Sequence, residues 1–243
     1  MNIILALWSV PRSISTGFER MMMERGDFKI IHEPFSYFYY AKEKRAAAAH
    51  MNVDPSAPLD FPDILAHILS EAQEAPVFFK DMCYHAISQA DRTFLSHLVN
   101  TFIIRDPALT LPSHYKMNPD FTLEEAGYEA QHRFFEMVTD MTDKPPVIVD
   151  AEDLIDDPYG VAKAYCEAVD IPFIPESLTW KAEFKTEWKT WEKWHLDAAD
   201  STGFIKDMEQ FEFTVHDVPR LREVHDFCRP FYEGLYEHRI HGK

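Results

Sequence analysis

Just after an apolar run, Ile3–Trp8, the chain reads Ser9-Val10-Pro11-Arg12-Ser13-Ile14-Ser15-Thr16, and a helix-compatible stretch follows at once. Hydroxyls, a guanidinium and the first amides of a helix, gathered within eight residues, are the parts of an anion site. Amides at a helix N-terminus point toward the ligand and carry partial positive charge, and arginine adds a forked set of donors. The loop is not a GxxxxGK loop followed by Ser or Thr, and with 7 glycines in 243 residues a glycine-rich cradle is not to hand. The same residues also suit an ordinary Ser/Thr helix cap beside an arginine.

A second group reads Arg105-Asp106-Pro107, with Ser113-His114-Tyr115 eight residues after the arginine. Arg105 closes an apolar run, where an unpaired guanidinium is costly. Arginine plus hydroxyl suits a second phosphate; a salt bridge to Asp106 or Asp150 is the plainer alternative. Groups that could accept a proton beside such anions also follow the strand ends. Glu33, in His32-Glu33-Pro34-Phe35, is the preferred candidate, with His32 beside it. His85, in Lys80-Asp81-Met82-Cys83-Tyr84-His85, comes next. Lys80 can pair with Glu33 or reach a transferred anion, and Asp81 is a second partner for it. The 12 histidines show neither HxxxH nor HxH spacing, so no metal site is expected.

These residues need strands to carry them. Asn2–Val10, Phe28–His32, Pro76–Lys80, Val99–Arg105 and Pro146–Asp150 are short, nearly continuous apolar runs, the pattern of parallel strands covered on both faces. Helical periodicity lies between them, over Ser15–Arg25, Phe61–Glu74, Leu123–Met141 and Tyr159–Val169, the last capped by Asp157-Pro158. The alternation predicts a doubly wound α/β fold, in which ligands sit at the carboxyl ends of the strands. Ala41–Leu59, with its alanine run Ala46–Ala49, reads as a helical excursion and a loop. The run Phe35-Ser36-Tyr37-Phe38-Tyr39-Tyr40 is a candidate lining for an acceptor pocket. Trp180–His195 reads as one amphipathic helix, with Trp180, Phe184, Trp188 and Trp191 as a stripe beside Lys181, Lys185 and Lys189. Leu221–Ile240 reads as a last helix, turning Phe227, Phe231, Leu235 and Tyr236 to the body.

Composition narrows the partners. The chain has 24 Lys+Arg against 41 Asp+Glu, a formal net charge of −17, which disfavours nucleic acid and anionic membranes. Residues 1–50 nevertheless carry seven basic and five acidic side chains, so the first loop sits in a non-acidic stretch. Cys83, Cys166 and Cys228 are widely spaced and read as reduced thiols. Ile3–Trp8 is too short for a signal or anchor, and a cytoplasmic location is expected.

Together the two loops resemble the sulfotransferase family. Ser9 to Thr16 is similar to its 5′-phosphosulfate loop, Arg105, Pro107, Ser113 and Tyr115 to its R-x-P-x5-S-x-Y motif, and Glu152–Pro158 to its E-D-L-x-x-D-P segment. The likeness spans residues 1–175, is closest to small bacterial members with a P-R-S-x-S-T loop, and departs at Ile14 (usually Gly), at Ala151 (usually Tyr) and in lacking R-K-G. It implies a P-loop-like three-layer fold over 1–243: an α/β core of about five parallel strands over 1–175 and a helical C-terminal lid over 176–243. It implies 3′-phosphoadenosine 5′-phosphosulfate as cofactor, a small-molecule acceptor with a hydroxyl or amine, and no metal. Arg12, Ser13, Ile14, Ser15 and Thr16 would hold the 5′-phosphate, with Arg12 also acting in catalysis. Arg105 and Ser113 would hold the 3′-phosphate. Several members place a catalytic Glu in an E-x-x-F setting like that of Glu33, and the cytosolic ones a catalytic His near the position of His85. A nucleotide-dependent kinase and a non-catalytic nucleotide-binding or partner module are the alternatives.

Overall fold

The computed structural model describes residues 1–45, 51–204 and 212–242. The alanine run Ala46–Ala49 lies outside them. Five strands, β1 (Ile4–Ser9), β2 (Lys29–His32), β3 (Val77–Met82), β4 (Val99–Ile104) and β5 (Val147–Asp150), form one parallel sheet in the order β2-β3-β1-β4-β5. All five expected strands are present, and β3 runs two residues further than its apolar run suggested.

The two faces of β1 explain its continuous apolar run. Ile4, Ala6 and Trp8 point into one core with Phe35, Phe79, Phe102 and Phe134. Leu5 and Leu7 point into the other with Phe18, Phe78, Ile103 and Tyr165. Alternate side chains leave opposite faces of a strand, so a strand covered on both sides must be apolar at every step. Trp8 is fully buried, and its indole donates to Asn100 Oδ1 at 2.9 Å. Helix α1 (Ser15–Arg25) and the Pro158–Ala168 helix cover the second core; the Phe61–Glu74 and Tyr128–Thr142 helices cover the first. The result is a three-layer, P-loop-like α/β fold. Chain order reverses about β1, which has β3 on one side and β4 on the other. Their carboxyl ends flank the crevice where such folds bind ligands.

Three helical expectations change. The stretch Leu123–Met141 is two helices, Leu123–Ala126 and Tyr128–Thr142, broken at Gly127. Gly127 has φ +86°, and a Cβ there would stand 3.3 Å from Tyr84 and Val10 side-chain atoms, so periodicity alone missed a backbone requirement. Trp180–His195 is not one helix. It runs without helix to Lys185, continues as a 3-10 segment over Thr186–Trp194 kinked at Trp191, and passes to a short Leu196–Asp200 helix. Its indoles go to separate partners instead of forming a stripe: Trp180 donates to Ser201 Oγ, Trp188 to Glu19 Oε2 and Trp191 to Ser36 Oγ. Tertiary anchoring overrides the 3.6-residue pattern here. The last helix spans Pro219–Tyr236 and buries Leu221, Val224, Cys228 and Leu235, whereas Phe227 stays exposed. The three cysteines are buried and unbridged. Among the described residues no helix is long and apolar enough to cross a membrane.

Candidate active site

The loop after β1 reaches α1 through two left-handed residues, Arg12 (φ +64°) and Ile14 (φ +58°). Ile14 is the N-cap of α1 and makes no side-chain capping bond; no acid stands in the first turn. The first amides of a helix lack intrahelical acceptors, so this turn faces its ligand side with donors and no competing carboxylate of its own. A β-branched residue in the left-handed region costs about 1–2 kcal/mol, and such strain gathers at functional sites. The position where the family pattern has Gly thus keeps a glycine-like backbone with Ile in place. Ser13 turns inward, is fully buried and donates to the Val10 carbonyl at 2.7 Å, so its hydroxyl is used within the loop.

Arg12 and the loop after β4 are tied together. Arg12 Nε donates to Ser113 Oγ at 2.7 Å, and Arg105 donates to the carbonyl of Arg12 at 3.1 Å. Neither Asp106 nor Asp150 takes Arg105; its Nε donates to Glu152 Oε1 at 2.9 Å. Asp106 caps the Pro107–Met117 helix and Asp150 the Ala151–Asp156 helix, each accepting backbone amides. Ser113 therefore meets Arg105 by way of Arg12. The far end of the Arg12 guanidinium donates to the Trp194 carbonyl at 3.2 Å and to Asp197 Oδ2 at 2.7 Å. Both partners come from the C-terminal segment.

The two adjacent polar residues of β3 separate by face. Lys80 lies on the Phe78 side, is buried and forms an ion pair with Glu33. Asp81 lies on the Phe79 side and accepts from the Phe35 and Met82 amides and from His85 Nδ1, the last at 2.6 Å. Lys80 therefore takes Glu33, and Asp81 serves His85 instead. Burial pushes the Asp81 carboxyl up, opposed by His85. Burial would likewise raise Glu33, but Lys80 above all, then His32, His195 and His85, reverses this and holds it well below the usual carboxylate range. His85 Nε2 is buried without a hydrogen-bond partner.

His32 joins a chain that spacing did not reveal. Its Nδ1 lies 2.8 Å from Glu19 Oε2, its Nε2 lies 2.9 Å from His195 Nε2, and His195 Nδ1 lies 3.2 Å from Thr16 Oγ1. His32, Glu33 and His195 bring ligand-type atoms within 4.8 Å of one another, a cluster that the HxxxH and HxH test could not find. Lys80 already holds Glu33 there, and the two imidazoles are hydrogen-bonded to each other, so a cation would compete with a charge and a bond in place.

One cavity of about 1180 Å³ gathers Arg12, Ser15, Thr16, Lys80, His85 and Arg105 along its wall. Ile14 and Glu33 also line it, whereas Ser13, His32 and Ser113 stand behind its wall. Of the run Phe35–Tyr40, Tyr40 reaches the cavity, beside Tyr84 and Trp191. Phe35 and Tyr39 are packed in the core. Sequence reasoning missed Glu152, Asp197, His195 and Glu19 as site residues. The signal that could have found one of them is the three-residue spacing of Trp188, Trp191 and Trp194 just before His195, which marks an anchored segment.

Comparisons with known proteins bear on the family and the fold. Residues 1–236 match the profile of a family described as "Sulfotransferase domain". A curated relative, branched-chain-amino-acid aminotransferase-like protein 2 of Arabidopsis thaliana, is 26% identical over 251 residues, covering 98% of this chain and 42% of its own length. The chain thus spans less than half of that relative. Among solved structures, the sulfotransferase domain from the curacin biosynthetic pathway superposes with a TM-score of 0.57 at 12% identity, over 93% of this chain and 97% of that one. The sulfotransferase domain of the Synechococcus PCC 7002 olefin synthase superposes at 0.50 and 16% identity, over 93% and 94%. At these identities the superpositions establish the fold.

Proposed function

Because the chain belongs to the sulfotransferase-domain family, we propose that it moves a sulfuryl group from 3′-phosphoadenosine 5′-phosphosulfate to a hydroxyl or amine of a small molecule. The observation that carries the reading is that one cavity brings Arg12, Ser15 and Thr16 after β1 and Arg105 after β4 beside His85, which Asp81 holds from the end of β3. The residues fit the cofactor: a helix N-terminus free of acid, the guanidiniums of Arg12 and Arg105, the hydroxyls of Ser15 and Thr16 and a buried His85 nitrogen without a partner. When bound, the cofactor supplies the sulfuryl group and a phosphate leaving group.

The protein's own contribution is positioning and charge. The first turn of α1, with Ser15 and Thr16, would hold the 5′-phosphate, and Arg12 would stabilise charge developing on it. Arg105, fixed by Glu152, would hold the 3′-phosphate. For the proton of the acceptor, His85 is favoured over Glu33. Asp81 accepts from two backbone amides as well as from the imidazole, so Nδ1 is the donor and Nε2 carries the lone pair. Glu33, clamped by Lys80 and held acidic, is a weak proton acceptor. Lys80 and Glu33 instead place a neutralised pair beside the transfer site. Tyr40, Tyr84 and Trp191, with Asp120 and Glu125 further along the wall, suit a neutral or cationic acceptor with an apolar body.

The deciding experiment compares thermal stabilisation by 3′-phosphoadenosine 5′-phosphate with that by ATP and magnesium, followed by an acceptor screen with labelled cofactor. A ligand at 100 times its Kd adds about 2.7 kcal/mol, a rise of several degrees in Tm. Stabilisation by ATP with magnesium and none by the bisphosphate would sink the reading.

A further inference from the structure

The chain Glu19–His32–His195–Thr16 links the buried sheet face to the first turn of α1, and its proton positions follow from the donors present. Glu19 Oε2 also accepts from the Trp188 indole at 2.8 Å, so it acts as an acceptor and His32 Nδ1 carries hydrogen toward it. With neutral rings, His32 Nε2 is then an acceptor and His195 Nε2 must donate across the 2.9 Å contact. That leaves His195 Nδ1 with a lone pair, which takes the hydroxyl hydrogen of Thr16. While both rings are neutral, one arrangement satisfies every contact, and in it Thr16 spends its only hydrogen away from the cavity that it lines.

We infer that His195 is a positioning residue for Thr16, and that binding of a phosphate dianion at the α1 turn draws one proton from solvent onto the His32–His195 pair. This rests on the reading of that turn as the cofactor's 5′-phosphate site. To donate to phosphate, Thr16 must turn its hydrogen away from His195 Nδ1. Two lone pairs then face each other at 3.2 Å, and a proton on Nδ1 restores the bond, with His195 donating to Thr16 Oγ1. The added charge is shared along the pair. It can stand on His195, or on His32 after the bridging hydrogen moves across. No bond between heavy atoms changes, and the proton comes from the buffer.

The groups facing the pair decide whether the charge can be held. Glu19 from α1 and Glu33 after β2 favour it; Lys80 from β3 and Arg12 from the loop oppose it. Glu19 Oε1 has no hydrogen-bond partner, so the carboxylate has capacity in reserve. Burial first, then any charge on His32 and the Lys80 ammonium, push His195 well below its ordinary range. The bound dianion supplies the missing negative charge.

Titration calorimetry of 3′-phosphoadenosine 5′-phosphate at pH 7.5, in buffers of different ionisation enthalpy, reads the proton directly. The expected uptake is roughly half to one proton per ligand in the unmodified protein. It should fall close to zero in Thr16→Val, which removes the hydroxyl and keeps the shape, and in His195→Gln, with the amide contacts still giving measurable binding. Comparison between proteins cancels the ligand's own titration. Uptake near zero in the unmodified protein, or equal uptake in Thr16→Val, overturns the inference while leaving the cofactor site standing. No binding at all overturns the cofactor reading and this inference with it.

Discussion

Asp81 Oδ1 lies 2.6 Å from Nδ1 of His85, four residues further along the chain, across the junction of β3 with the short Cys83–Ala86 helix. The carboxylate thereby fixes the ring orientation and leaves Nε2 buried without a partner, in a side chain that lines the cavity. His85→Asn should lower kcat about 10²–10⁴-fold while stabilisation by 3′-phosphoadenosine 5′-phosphate persists. Asp81→Asn should also lower kcat, through the wrong ring tautomer. Undiminished transfer by the His85 variant would move the base elsewhere.

Glu33 and Lys80 test the other candidate. Glu33→Gln leaves the Lys80 ammonium buried and unpaired, so it should cost about 3–5 kcal/mol of stability, read as a fall in Tm. Lys80→Met together with Glu33→Gln should recover most of that loss, because both charges are then gone. A single variant as stable as the unmodified protein would refute the pairing.

Arg105 should decide discrimination at the 3′ position. The unmodified protein is expected to bind 3′-phosphoadenosine 5′-phosphate far more tightly than adenosine 5′-phosphate. Arg105→Ala should shrink that ratio by tenfold or more, since a charge-assisted pair with phosphate contributes about 1.5–3 kcal/mol. Calorimetry with the two ligands checks it.

Arg12 and Asp197 should differ sharply despite sharing an ion pair. Asp197 is largely exposed, so Asp197→Ala should alter cofactor affinity and stability less than about fivefold. Arg12→Ala removes the charge at the leaving phosphate and the hydrogen bond to Ser113, and should reduce kcat/KM at least about 100-fold. Equal effects from the two would contradict the assignment.

His114 gives a pH prediction. Burial first, then Arg12 and Arg220, push its pKa down to about 3 from 6.5. A group that is harder to protonate folded than unfolded costs stability as pH falls below the unfolded value, so Tm should decline from about pH 6.5 toward pH 3. His114→Phe keeps the stack on Phe121, whose ring centroid lies 4.3 Å away, and should flatten that decline. A variant with the same acid slope would assign the effect to other groups, such as Glu33, whose carboxyl is held well below its usual range.

The sheet was legible because burial on both faces leaves little choice of residue: β1 is buried at every step and the other strands read as nearly continuous apolar runs, and the loops of interest follow strand ends. Arg12, Arg105 and Lys80 were legible for the same reason, each being a cation at the end of such a run. What escaped was set by distant contacts. The Asp81–His85 pair needed the face alternation of β3, and Glu152 as the partner of Arg105 needed the turn after β5. The Trp180–His195 segment deceived because its indoles fit a helical stripe, yet Trp188 and Trp191 are held by Glu19 and Ser36, which lie more than 150 residues earlier. Gly127 escaped because periodicity does not register a positive φ.

The left-handed Ile14 has a consequence for how the loop meets its ligand. A glycine there would move among many conformations when no ligand is bound and surrender that freedom on binding. A β-branched side chain samples fewer alternatives in the unfolded chain and, once folded, is fixed by its packing against the α1-side core. The conformational cost of the anion loop therefore falls in folding, and affinity for the anion is not reduced by ordering the backbone at the moment of contact.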